Sequence, residues 1–151
     1  MRNWANYREK LEEGFEFEDF VLEQLWDLGW GTIAFRTRTA QVMRGENLGG
    51  FEIKRDGKFR ETGNLFVETE ERSTSESAWH AAGIDSPHKP RHLVIGDERR
   101  FWVLAVNVLQ AIRDEGKCAH VRTDTACGFL LPTTRADRFC CLKWTPVESE
   151  E

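Results

Sequence analysis

Glu52, Lys54, Asp56, Glu68, Glu70 and Arg72 occupy alternate positions in two neighbouring stretches of the chain. Carboxylates brought close together repel when ionised, and uncompensated acids hold their protons at raised pH. A divalent cation supplies the missing positive charge. Hard cations such as Mg²⁺ prefer carboxylate oxygens and waters. A lysine beside such a cation can orient a water or stabilise charge developing on a phosphate. Asp56, Glu68, Glu70 and Lys54 together therefore suggest metal-assisted hydrolysis of a phosphodiester.

The elements that must position these groups are two arms, Gly49 to Asp56 and Asn64 to Arg72. Both alternate apolar and polar residues, the period-two pattern of strands with unlike faces. The linker from Gly57 to Gly63 has glycine at both ends, as a hairpin loop would. An antiparallel pairing about Thr62 puts Asp56 opposite Glu68 and Lys54 opposite Glu70, so that all six charges share one face. Ile53 and Val67 then share the other. A one-residue slip would destroy this alignment.

Upstream, a helix is expected over residues 3–13, ending at Gly14, and a second from Phe15 to Leu28, stopped by Gly29. Glu16, Asp19, Glu23 and Asp27 form its wet face. Glu18 instead falls in line with Val21, Leu22 and Leu25, where a carboxylate needs a partner or a metal.

A helical glutamate, an aspartate at a strand end and a following acidic pair resemble the PD-(D/E)xK, or restriction-endonuclease-like, nuclease superfamily in its phage and bacterial forms. The residues carrying the resemblance are Glu18, Asp56 and Glu68-Thr69-Glu70, and it extends roughly from Gly14 to Trp144. Glu70 stands where the superfamily usually has lysine, and Lys54 is the natural replacement. The resemblance implies a deoxyribonuclease using Mg²⁺ or Mn²⁺. Asp56 and Glu68 would bind the metal, with the Thr69 carbonyl as a further ligand. Glu70 would be a third acidic group, Lys54 would orient the attacking water, and Glu18 would assist from its helix. Cutting both strands of DNA would call for a homodimer or a partner protein. The glutamate at position 70 and the net charge of −5 favour an alternative: an inactive nuclease-fold module that binds nucleic acid or a protein.

The 151 residues, 40% hydrophobic and 31% charged, suit one globular domain over 1–146 followed by an acidic tail, 147–151. No apolar run reaches the ~18 residues of a membrane span, and no apolar signal core follows Met1. A cytoplasmic location with reduced cysteines is the expectation. The spacing of Cys118, His120, Cys127, Cys140 and Cys141 matches no common zinc motif, which favours core packing for the cysteines.

Further strands are expected over Trp30–Arg38, His92–Ile95, Phe101–Leu104, 118–122, 126–132 and 139–144. Residues 41–48 should form a loop containing another acid, Glu46. Short helices are expected at Ala78–Ala82 and from Thr133, and a longer one over Ala105–Glu115. Arg36 and Arg38 are candidate phosphate contacts, and His80 and His88 candidate general bases. The order of elements predicts an α/β domain with a central mixed sheet flanked by helices.

Overall fold

The computed structural model describes residues 4–30 and 50–147. Arg36, Arg38, Glu46, the expected strand after Trp30 and the loop after it lie outside these residues. The fold is mixed α/β. In place of one central sheet, the described strands form two four-stranded sheets.

Helix α1 runs unbroken over Trp4–Asp27, where two helices were expected. Gly14 remains inside it, because a glycine costs a helix interior only about 1 kcal/mol and does not by itself terminate one. Gly29, in the left-handed region at φ 86°, ends it as expected. Glu16, Asp19, Glu23 and Asp27 are exposed. Phe17, Val21 and Leu25 are fully buried, each worth about 1.5–3 kcal/mol of apolar burial.

The first sheet has the order β1-β4-β5-β8. Its strands are β1 (Phe51–Arg55), β4 (His92–Asp97), β5 (Arg100–Ala105) and β8 (Leu142–Trp144). Strand β1 runs parallel to β4, with Phe51 beside His92 and Ile53 beside Val94. The strands expected over His92–Ile95 and Phe101–Leu104 form and pair as an antiparallel hairpin, β4–β5. Phe51, Ile53, Val94, Phe101 and Val103 share a core with the buried face of α1. Residues alternate along a strand, so Glu52 and Lys54 lie on the opposite face of β1.

The expected hairpin between the two arms does not form. Strand β2 (Asn64–Glu71) belongs to the second sheet, with the order β3-β2-β7-β6. Its other members are β3 (His80–Ala81), β6 (His120–Arg122) and β7 (Ala126–Pro132). The connecting segment is a crossover containing the short helix α2, Phe59–Thr62. Phe59, only 4% exposed, packs edge-on against Trp102 at 5.1 Å. Burial of this aromatic draws the linker inward and separates the arms. The expected helix at Ala78–Ala82 is likewise replaced by β3 and a 3-10 turn over Gly83–Asp85.

The second core lies between the sheets. Leu65, Val67, Phe129 and Leu131 of the second sheet meet Leu93, Ile95, Trp102 and Leu104 of the first. Helix α3 (Val106–Asp114) adds Leu109 and Ile112, and α4 (Thr133–Phe139) adds Ala136. Cys127 is buried, Cys118 and Cys140 are half-buried, and Cys141 is exposed; all four are free thiols. No described helix is long and apolar enough to cross a membrane.

Arg60 pins the crossover to the end of β4, its Nε and Nη2 donating to Asp97 at 2.6 and 2.8 Å. The backbone N–H groups of Arg99 and Arg100 donate to the same carboxylate at 2.9 and 3.1 Å. Burial pushes the Asp97 carboxyl up, but these donors outweigh it and hold it below its ordinary 3.8. The resulting stabilisation is complete above the unfolded value and is lost as pH falls through the lower folded one. Asp97→Asn should therefore cost about 1–2 kcal/mol near neutral pH, discounted for the partly exposed Arg60. Chemical denaturation of both proteins should show that difference shrinking below about pH 4.

Candidate functional site

Glu52 and Lys54 are two residues apart on β1 and share a face. The Lys54 ammonium lies 3.5 Å from the Glu52 carboxylate, with side chains 44% and 12% exposed. An ion pair this exposed adds little stability, but it leaves a shielded carboxylate beside an accessible cation.

Glu68 comes to this pair from the other sheet, and two glycines determine where it sits. On one side is Gly128 of β7, directly opposite Glu68. A Cβ there would lie 2.9 Å from the Val67 carbonyl carbon and 3.0 Å from the Glu68 Cα. On another is Gly83, in the left-handed region at φ 56°. A Cβ there would lie 2.7 Å from the Glu68 carbonyl carbon, closer still to its oxygen, and 3.0 Å from its Cβ. Only residues without a Cβ allow such an approach.

The 3-10 turn bearing Gly83 is itself anchored. Ile84 is buried in the second core. Gln110 of α3 donates to the Ile84 carbonyl at 3.1 Å and to Asp85 at 3.2 Å, and Arg113 pairs with Asp85. Helix α3 thereby holds the turn against β2.

Burial raises the affinity of Glu68 for its proton. Among neighbouring charges, Lys54 opposes the rise most strongly, Glu71 and Glu52 add to it, and His80 opposes it. The charges of Glu52 and Lys54 thus act on Glu68 although their strands do not pair.

Glu71 and His80 complete the cluster. They are opposed across β2 and β3, with His80 Nε2 3.3 Å from Glu71 Oε1. Sequence reasoning missed Glu71 because the β2–β7 register slips between Glu68 and Glu70. Such a bulge shifts the alternation by one residue. Glu71 therefore comes to the side of Glu68, while Glu70 is exposed and opposes Ala81 and Cys127. No local signal in the sequence marks this bulge.

Asp56 has a different set of contacts. Its carboxylate oxygens accept the backbone N–H groups of Lys58 at 3.0 Å and Phe66 at 2.9 Å. It ties the end of β1 to the start of β2. Thr69 is buried, its carbonyl accepts the Ala82 N–H at 2.9 Å, and its hydroxyl donates to the Cys127 carbonyl at 3.4 Å. Glu18 is 5% exposed on α1, which packs against the face of β1 opposite Glu52 and Lys54. His88 lies in the loop after the 3-10 turn, its backbone N–H on Ser86.

Beyond Gly83, an open groove of about 710 Å³ runs past Ile84, Pro87, Lys89, Arg91 and Gln110. No three His, Cys, Asp or Glu side chains among the described residues form a ready-made metal cage. Mg²⁺ does not require one, since one or two carboxylates, waters and substrate phosphates complete its shell. Glu52 and Glu68 are the carboxylates beside Lys54 whose charges act on one another, and they supply hard oxygen donors. Comparison with protein-family models, curated proteins and solved structures returned no match.

Proposed function

We propose that this chain is a metal-dependent nuclease hydrolysing DNA phosphodiester bonds at the Glu52–Lys54–Glu68 cluster. The observation carrying the reading is the environment of Glu68. Burial and the charges of Glu71 and Glu52 raise its affinity for a proton, and Lys54 and His80 oppose that rise only in part. A second cation would relieve the imbalance and stabilise the ionised form.

Glu52 and Glu68 would hold Mg²⁺ or Mn²⁺, which when bound lowers the pKa of a water and neutralises phosphate charge. Lys54 stabilises charge developing on the phosphate and orients the attacking water. His80, 3.3 Å from Glu71, is the general acid or base of this reading. Asp56 fixes the geometry by joining β1 to β2.

Calorimetry with Mn²⁺ should show binding to wild type, loss in Glu52→Gln and retention in Lys54→Ala. Cleavage by Lys54→Ala should nevertheless fall about 10²–10³-fold, the usual effect of removing one group that stabilises transition-state charge. Wild-type protein that takes up no Mn²⁺ or Mg²⁺ would defeat the reading.

A further inference from the structure

Two arginines next to the cluster share one tryptophan. The Arg72 guanidinium lies 4.2 Å from the Trp79 ring centroid, and that of Arg122 lies 5.1 Å from it. Arg72 directly follows Glu71, and Trp79 directly precedes His80. The trio is therefore joined to the proposed site along both β2 and β3, one residue step away on each, about 3.8 Å between Cα atoms.

Arg72 is fixed further. Its backbone N–H donates to the Thr125 carbonyl at 2.9 Å, and its Nε donates to the Asp124 carbonyl at 2.6 Å. Those acceptors are neutral. Among the described residues, neither Arg72 nor Arg122 is ion-paired with a carboxylate, whereas Arg55, Arg60, Arg113 and Arg135 all are. A guanidinium stacked on an aromatic ring keeps its N–H edge available, and that edge matches a phosphate with two parallel hydrogen bonds. Stacking also limits the side-chain freedom lost on binding.

We infer that Arg72 and Arg122, held on Trp79, grip the phosphates flanking the scissile bond of the substrate strand. The inference rests on the nuclease reading and narrows its substrate to a nucleic-acid strand held by its backbone. Contacts of this kind position a strand without reading its bases. Recognition at this place is therefore independent of sequence and sensitive to salt.

The test is fluorescence anisotropy of a labelled single-stranded oligodeoxynucleotide in EDTA, across a series of salt concentrations. Wild type is compared with Arg72→Gln/Arg122→Gln and with Arg122→Gln alone. Each phosphate contact on a single strand contributes about 0.7 to the slope of log affinity against log salt. The double variant should bind more weakly, with a slope shallower by about 1.4, and Arg122→Gln should account for about 0.7. Arg122 makes no hydrogen bond among the described residues beyond its strand pairing, so the single variant carries the test if the double variant unfolds. Wild-type binding with unchanged affinity and slope in the variants overturns the inference and leaves the nuclease reading intact. A wild type that binds no strand even at low salt also overturns the inference, and the nuclease reading then stands or falls on cleavage measured with metal.

Discussion

Glu68→Gln should abolish cleavage, by about 10³-fold or more, and at the same time make the metal-free protein more stable. Burial and the charges of Glu71 and Glu52 raise the folded-state proton affinity of Glu68 above its ordinary 4.5, against the pull of Lys54. A carboxyl with a raised folded value contributes stability that is complete below the unfolded value. That contribution is lost as pH rises through the folded value. Glutamine retains the shape and cannot ionise, so the loss disappears. Melting curves in EDTA should place the variant above wild type near neutral pH, with the gap closing near pH 4. Mn²⁺ should raise the wild-type midpoint and leave the variant unmoved. A variant less stable than wild type at neutral pH would mean that Glu68 is satisfied by partners already in the fold.

The second large effect is expected at Gly83. Alanine there must adopt φ 56°, a strained region for residues with a Cβ. The new carbon also meets the Glu68 carbonyl group, 2.7 Å from its carbon. That contact is with backbone, which cannot rotate aside. Strain and overpacking together should cost about 2–5 kcal/mol, lowering the midpoint by roughly 5–15 °C. Any surviving folded protein must displace Glu68, and a shift of about 1 Å in a positioned group can cost 10²-fold in rate. A similar loss of stability from Gly14→Ala, by contrast, has no basis, since nothing lies within 4 Å of that position. Differential scanning calorimetry and cleavage measured at a temperature where Gly83→Ala is folded would check both effects.

Elements with strong periodicity were legible. The hairpin β4–β5, helix α3 with Leu109 and Ile112 inward, and strand β7 all lie where the patterns place them. Such elements are specified locally, by which residues must be buried. Strand partners are not. Both β1 and β2 alternate as antiparallel neighbours would, yet β1 pairs with β4 because the segment between carries Phe59 into the core. The two glycines bounding the linker suited either outcome.

The residue types of the candidate site stand out in the sequence, and their arrangement does so only in part. Lys54 pairs with Glu52 within β1, and their charges reach Glu68 through the packing of two sheets and not through strand pairing. The exchange of Glu70 for Glu71 depends on a bulge at Thr69, which alternation alone does not reveal. Asp56 has the residue type of a metal ligand, but the backbone N–H groups of Lys58 and Phe66 give it a structural role. Gly83 directly follows the expected helix at Ala78–Ala82, and Gly128 falls inside the expected strand over 126–132. Their use as close-contact points against Glu68 arises only from tertiary packing.

The most direct measurement is cleavage of supercoiled plasmid, branched DNA and single-stranded DNA in Mn²⁺ or Mg²⁺ by wild type and Glu68→Gln. Wild type should cut in a metal-dependent manner suppressed by EDTA, and the variant should lose cutting while remaining folded. Wild type that cuts none of the three, or a folded Glu68→Gln protein that cuts at the wild-type rate, would contradict the nuclease reading.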